Sequence, residues 1–293
     1  SIYTLSRCLL RGETNMAIKS YIKRLLLYIR HGDPKINLDV SYLSEGAMLA
    51  GKTVIITGGA KGLGFAIAKS FIAQGASVII TGRDMDSLNN AKCQLGDMCS
   101  IRAFDITDAK MYRTFFEDAY ETFGRIDILL NNAGISLHED GFMSVTEKTW
   151  DKQMDTNLKG VYFFTQEFIK FVKEKNQMQA NIIMMSSERG LCGDSIPYGL
   201  SKAAINSLVV GLSKKYISEG IRVNGIAPGV TATAMTGISE KGNLYNPATI
   251  GYRYFLPEEV AQVALFLASS LSNCISGEII ACDQGQYLSR NWG

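Results

Sequence analysis

The sequence predicts an α/β fold: a doubly wound, mainly parallel seven-stranded sheet with helices on both faces, preceded by an N-terminal helical extension. Three observations predict it. From residue 51 onward, short apolar runs alternate with helix-length amphipathic segments. The runs are rich in Val, Ile and Leu and carry few charges, as strands covered on both faces must. Strand and helix in alternation imply parallel strands joined by right-handed crossovers. The chain has 293 residues, 46% hydrophobic and 20% charged. That is the balance of a soluble globular protein, and a sheet of this kind holds such a length as one domain.

The expected strands span 53–57, 77–81, 101–105, 126–131, 181–186, 221–226 and 278–281. Expected helices span 65–73, 108–123, 149–173, 203–219 and 258–269, and one more follows Asp84 as its N-cap. Residues 51–293 are read as the single α/β domain and 1–50 as the extension. Residues 1–15 carry no usable pattern and precede Met16, a candidate native start. Residues 16–32 put Ile18, Tyr21, Ile22, Leu25, Leu26 and Ile29 at helical spacing, flanked by Lys19, Lys23, Arg24 and Arg30. His31-Gly32-Asp33-Pro34 ends that helix. A basic amphipathic helix lies on an anionic membrane surface or docks into a protein groove. Each large residue buried against protein contributes about 1.5–3 kcal/mol, each cation at a membrane only about 1 kcal/mol. Docking on protein is therefore favoured over membrane contact. The remaining stretch up to Ala50 is read as a covering arm.

The formal net charge of +2 gives no bulk basic field, which speaks against nucleic acid as a partner. Cys8, Cys93, Cys99, Cys192, Cys274 and Cys282 form no Cys-x-x-Cys pair, and the histidines are His31 and His138 alone. A metal site has almost nothing to build on. Scattered cysteines read as reduced, buried thiols of a cytoplasmic protein. No apolar run approaches the roughly 18 residues that span a bilayer, and the start carries no cleavable leader pattern.

The first strand runs into Thr57-Gly58-Gly59-Ala60-Lys61-Gly62-Leu63-Gly64 and then a helix. A turn this tight, passing under a pyrophosphate, needs residues without side chains, and the helix start offers free N–H groups to phosphate. Glycines alone make many ordinary turns; the strand before and helix after give these their meaning. The pattern resembles the fingerprint of the short-chain dehydrogenase/reductase family, in its 3-oxoacyl-carrier-protein reductase-like general branch. The family's other motifs occur in order across residues 51–288. The resemblance implies a Rossmann fold and a dinucleotide held by Gly58, Lys61, Gly62, Leu63 and Gly64. It adds Asp105 with Ile106 at the adenine, and Asn132, Ala133 and Gly134 after strand four. Pro228, Gly229, Thr231 and Thr233 are implied at the nicotinamide carboxamide.

Cofactor choice is legible at the end of strand two. A site selecting NAD places an acidic residue about 20 residues past the glycine loop, on the ribose 2′-hydroxyl. Here the strand ends Thr81-Gly82-Arg83. Gly82 takes the acidic position, and Arg83 with Lys61 suits a 2′-phosphate. The competing reading makes both ordinary solvated charges. NADP(H) is expected, with NAD(H) the runner-up.

Tyr198-Gly199-Leu200-Ser201-Lys202 puts a phenol and an ammonium one helical turn apart. A free tyrosine, with a pKa of about 10, is a poor base at neutral pH, and a neighbouring cation lowers it. The resemblance makes Tyr198 the general acid/base and has Lys202 also grip the nicotinamide ribose. It assigns Ser187, eleven residues before the tyrosine, to polarising the substrate carbonyl. Ser186 is then structural, although the two serines can exchange roles. It assigns Asn157 to holding a water in a proton relay; without it, Asn157 reads as a mid-helix side chain bonding locally. The implied reaction is hydride transfer between ketone and secondary alcohol, in an enzyme that assembles as a homodimer or homotetramer.

Some residues depart from the family pattern. Glu188, Arg189 and Cys192 replace commoner small apolar residues, and Asp283-Gln284-Gly285 replaces Asp-Gly-Gly. Arg189 and His138 suggest a preference for anionic substrates unless they pair with Glu188 or Glu139. Segment 235–256, with Tyr245, Tyr252, Tyr254 and Phe255, is read as the lid. The alternative function is a non-catalytic NADP-binding sensor or scaffold on the same fold.

Overall fold

The computed structural model describes residues 46–239 and 242–289, together with Ile22. The chain divides into two compact units, Ser1–Leu43 and Ser44–Gly293. The expected helix at 16–32 lies outside the described residues, Ile22 excepted.

Strands β1 (Thr53–Thr57), β2 (Ser77–Gly82), β3 (Cys99–Ala103), β4 (Ile128–Asn131), β5 (Ala180–Met185), β6 (Ile221–Pro228) and β7 (Ile279–Cys282) form one sheet in the order β3-β2-β1-β4-β5-β6-β7. Every pairing is parallel. Helices α1 (Gly62–Ala73), α2 (Met85–Leu95), α3 (Tyr112–Phe123), α4 (Glu147–Met154), α5 (Val161–Glu174), α6 (Pro197–Tyr216) and α7 (Pro257–Ala268) connect them, and a short α8 (Gln286–Ser289) follows β7. The order reverses between β1 and β4, so the carboxyl ends of these neighbours diverge into a crevice.

Alternation along each strand builds two apolar layers, because successive side chains face opposite sides of a sheet. Val54, Ile56, Val78, Ile80 and Leu130 pack with Ile67, Phe71 and Leu265 from α1 and α7. Ile55, Ile79, Leu129 and Ile182 pack with Phe116, Phe164, Phe168 and Val209 from α3, α5 and α6. Leu49, ahead of β1, is buried in the first layer, and its N–H donates to Gln74 O at 2.9 Å.

Most ends shift from expectation by a residue or two, and three differences have a clear cause. β3 stops at Ala103, two residues short of Asp105, because Asp105 Oδ1 accepts from Thr107 N and Oγ1 at 2.9 and 2.8 Å and turns the chain. The long helix expected at 149–173 is interrupted at Asp155–Gly160 by a π-helical turn. Gly160 there abuts the Ile106 carbonyl, where a Cβ would overlap it. Helix α6 begins at Pro197 rather than 203, since proline at a helix start lacks only an N–H that has no partner there.

The departure at 283–285 has a backbone signature: Gln284 is left-handed at φ 53°, a region glycine enters more cheaply. Its side chain lies over Gly251, where any Cβ would collide with it. Gln286 Oε1 accepts from Ile250 N at 2.6 Å.

Candidate active site

A cleft of about 420 Å³ opens where β1 and β4 part, and its walls reach to the ends of β5 and β6. Four segments build it: the glycine loop, the run after β4, the serines after β5 with the start of α6, and the run after β6.

The glycines are required by their neighbours. Gly58 and Gly62 are left-handed at φ 66° and 54°. A Cβ on Gly64 would overlap Gly58 O and Asn132 Nδ2. Thr57 Oγ1 accepts from the N–H groups of Asn132 and Ala133, both at 3.0 Å. Asn132 Nδ2 donates to Thr57 O and Gly58 O at 3.0 and 2.9 Å, so β4 is bonded to the loop. The first turn of α1 has neither a side-chain cap nor an acidic residue. Its free N–H groups and positive dipole end suit a pyrophosphate.

Lys61 and Arg83 are exposed, and Asp84 caps α2 by accepting from Asp86 N at 3.2 Å. Chiefly its bond with Ser87, and in smaller part Lys61, holds the Asp84 carboxyl below its ordinary value. Gly82 has room for a side chain, with Leu88 Cδ2 at 3.7 Å, ordinary contact distance, from where a Cβ would stand. Arg83, Asp105 and Ile106 follow the ends of β2 and β3, outside the cleft lining. Leu63, Gly134, Pro228, Gly229, Thr231 and Thr233 are within it.

Ser187 stands near enough to the Tyr198 phenol to lower its proton affinity, and Ser187 Oγ accepts from Arg189 N at 3.3 Å. Ser186 Oγ instead donates to Lys202 O at 3.3 Å. Lys202 is buried; its Nζ donates to Met185 O at 2.8 Å and lies 5.8 Å from the Tyr198 ring centroid. Asn157 sits in the π-helical turn. Its Oδ1 accepts from Ile135 N and its Nδ2 donates to Ile135 O, both at 2.8 Å. A Cβ on Gly134 would lie 3.4 Å from Asn157 Oδ1 and 3.5 Å from Lys202 Nζ, so both groups converge on that glycine.

The electrostatics differ from expectation at the phenol. Burial pushes Tyr198 above its ordinary value; the Ser187 hydroxyl and the Arg189 charge offset this in part, while Glu188 adds to it. Burial also lowers Lys202 to about 8, which weakens the cation expected to acidify the phenol. For stability, an unfolded lysine holds its proton to pH 10.5 and the folded one only to about 8. The unfolded state therefore binds more protons between those values, and stability rises with pH through that window. Lys202→Met should abolish the rise and add about 2–3 kcal/mol at pH 7, less what the freed Met185 carbonyl costs. Denaturant unfolding from pH 7 to 10.5 checks it.

Arg189 and His138 both line the cleft, but each already has a partner within the protein. Arg189 Nε and Nη2 fork onto Asp194 Oδ2 and Oδ1 at 2.6 and 2.8 Å. Asp194 Oδ1 also accepts from Ser195 N and Ile196 N at 2.7 and 3.2 Å, just before α6. Sequence reading missed Asp194, although an acidic residue shortly before a proline-led helix is a start signal. His138 Nε2 bonds Met235 O at 3.1 Å across the cleft. The expected lid aromatics stand back from the cleft: Tyr245 and Tyr252 are 60% and 62% exposed, and Phe255 is buried against Gly229. Among the described residues of 235–256, Met235 and Thr236 line it. No cluster of three His, Cys, Asp or Glu side chains suits a metal among the described residues. None of the described helices is long and apolar enough to cross a membrane.

A family model described as Enoyl-(Acyl carrier protein) reductase matches residues 58–286. The chain is 35% identical over 248 residues to 3-oxoacyl-[acyl-carrier-protein] reductase FabG of Thermotoga maritima, covering 82% of this chain and 99% of that protein. It is 33% identical over 259 residues to 3beta-hydroxysteroid dehydrogenase 2 of Eggerthella lenta, covering 84% and 98%. The solved 3-ketoacyl-(acyl-carrier-protein) reductase from Brucella melitensis complexed with NADH superposes with a TM-score of 0.75 at 27% identity, covering 82% and 99%.

Proposed function

The chain belongs to the short-chain dehydrogenase/reductase family, and from that premise we propose that it interconverts a ketone and a secondary alcohol with NADP(H), through Tyr198. Oxidoreduction with a nicotinamide dinucleotide is the family's activity. The finer reading rests on one observation: a single cleft joins the glycine loop to Ser187, Tyr198 and Lys202.

When bound, the dinucleotide supplies or accepts the hydride. Gly58, Gly62, Leu63 and Gly64 with the start of α1 are suited to its pyrophosphate, and Lys61 with Arg83 to a 2′-phosphate. Asp105 and Ile106 would serve the adenine. Asn132, Ala133, Gly134, Pro228, Gly229, Thr231 and Thr233 would line the nicotinamide half, with Lys202 on its ribose. Ser187 donates to the carbonyl oxygen and stabilises the charge that develops there. Tyr198 gives that oxygen its proton. Burial favours the protonated phenol, the form that donates in the reductive direction. Asn157 holds the backbone at Ile135 and the water through which Lys202 returns a proton.

Homodimer or homotetramer assembly completes the proposal, supported by apolar side chains left exposed on α5 (Tyr162, Phe163) and α6 (Leu200, Val210). The substrate is a small carbonyl or alcohol compound, and the free thiols suit the cytoplasm, although Cys99 is buried while Cys93 and Cys274 are exposed rather than buried as expected. A screen of ketones that follows the absorbance of NADPH and of NADH tests it. Turnover with NADPH favoured is expected. Saturable NADPH binding without turnover of any ketone would point to a sensor instead.

A further inference from the structure

His138 and Met235 sit on opposite walls of the cleft, and both line it. His138 belongs to the run after β4 and Met235 to the turn after β6. Their bond, His138 Nε2 to Met235 O at 3.1 Å, joins residues 97 apart. A carbonyl oxygen can only accept, so Nε2 carries the hydrogen and the imidazole donates. Among the described residues, no other hydrogen bond joins residues 132–141 to residues 228–238.

The two sides are held unequally. Residues 231 and 232 are anchored at the base, where Ala232 N donates to Phe255 O at 2.8 Å. The turn above folds on itself: Thr236 N donates to Thr233 O and Thr233 N to Thr236 Oγ1, both at 3.1 Å. Its tip leans across the opening, and His138 meets it there. His138 is left-handed at φ 53°, a conformation rare for a residue with a side chain and one that clusters at working sites. The backbone is bent to bring this imidazole to the lid.

A latch here decides what the cleft admits. Its volume of about 420 Å³ lies at the low end for small-molecule sites. It must hold both the nicotinamide end of the cofactor and the substrate. A turn held to His138 at this rim would leave less room for a long acyl chain or a fused-ring ketone than for a compact carbonyl compound.

We propose that His138 is a specificity-determining residue, whose bond to Met235 O holds the 233–237 turn over the cleft and restricts the enzyme to compact carbonyl substrates. The proposal rests on the reading of this cleft as the hydride-transfer site.

Two variants test it in the full chain. His138→Asn tolerates the left-handed backbone but is too short to reach Met235 O. His138→Gln places an amide N–H where Nε2–H stood. One readout is hydrogen exchange at the Thr233 and Thr236 amides. The other is the kcat/KM of a bulky 3-oxoacyl thioester relative to that of 2,3-butanedione, with NADPH. A single exposed hydrogen bond is worth roughly a two- to tenfold shift in the closed population. His138→Asn should speed exchange and raise the bulky-to-compact ratio by that factor, and His138→Gln should restore both. Turnover with an unchanged ratio, or unchanged exchange in His138→Asn, would overturn the proposal. No turnover of either ketone by any variant, unmodified protein included, would instead overturn the functional reading on which it rests.

Discussion

Replacing Tyr198 by Phe should lower kcat by about 10²–10⁴-fold, the usual worth of a positioned acid or base, and leave cofactor binding nearly unchanged. The substitution keeps the ring, and with it the packing beside Lys202, but removes the proton that, in the proposed reaction, passes to the substrate oxygen. Steady-state kinetics paired with a cofactor titration separate the two effects: kcat collapses while the Kd for NADPH holds. Survival of most of the activity on the best substrate would remove Tyr198 from the chemistry.

Gly82→Asp combined with Arg83→Ala should weaken NADP(H) binding by about 10- to 100-fold and reverse the preference toward NAD(H). A charge-assisted bond is worth about 1.5–3 kcal/mol, and the new carboxylate would also repel a 2′-phosphate. The fold has room for the change. Gly82 is not left-handed, and a Cβ there would meet Leu88 only at ordinary contact distance. Asp84 does not already serve the ribose, because it is committed to Asp86 and Ser87 at the start of α2. Parallel titrations of both cofactors check the prediction; tighter binding of NADH by the unmodified protein would refute it.

The sheet and its order of elements were legible because short apolar runs alternate with helix-length amphipathic segments from residue 51 onward. The glycine loop was legible for the same kind of reason. Gly58 and Gly64 answer to backbone and side-chain atoms so near that no Cβ fits freely, and the spacing records that constraint. What escaped depends on partners distant in sequence or on burial. Nothing near Arg189 announces that Asp194, rather than Glu188, takes its fork. The bond from His138 to a backbone carbonyl 97 residues away leaves no mark on residue type at Met235. A spacing of four set Lys202 beside Tyr198, but burial raises the phenol, and the charge that lowers it is that of Arg189. The π-helical turn at Asp155–Gly160 is invisible to a helical period that averages over it.

The order of strands also sets a schedule for synthesis. β1 pairs with β2, its next strand along the chain, yet its other neighbour is β4, and the contact of Thr53 with Asp127 spans 74 residues. At roughly 5–20 residues per second, a ribosome needs roughly 4–15 s to deliver that stretch. During this interval a nascent β3-β2-β1 sheet would keep β1 as a bare edge, with the glycine loop at its end. Unpaired edges of this kind invite mispairing with other chains. The arrival of β4 closes the edge, as Ile128–Leu130 pair with Val54–Ile56, and Asn132 just beyond it ties down Thr57 and Gly58 at the loop. Variants at Asn132 should therefore lower the soluble yield of the growing chain more than they lower the melting temperature of the finished one.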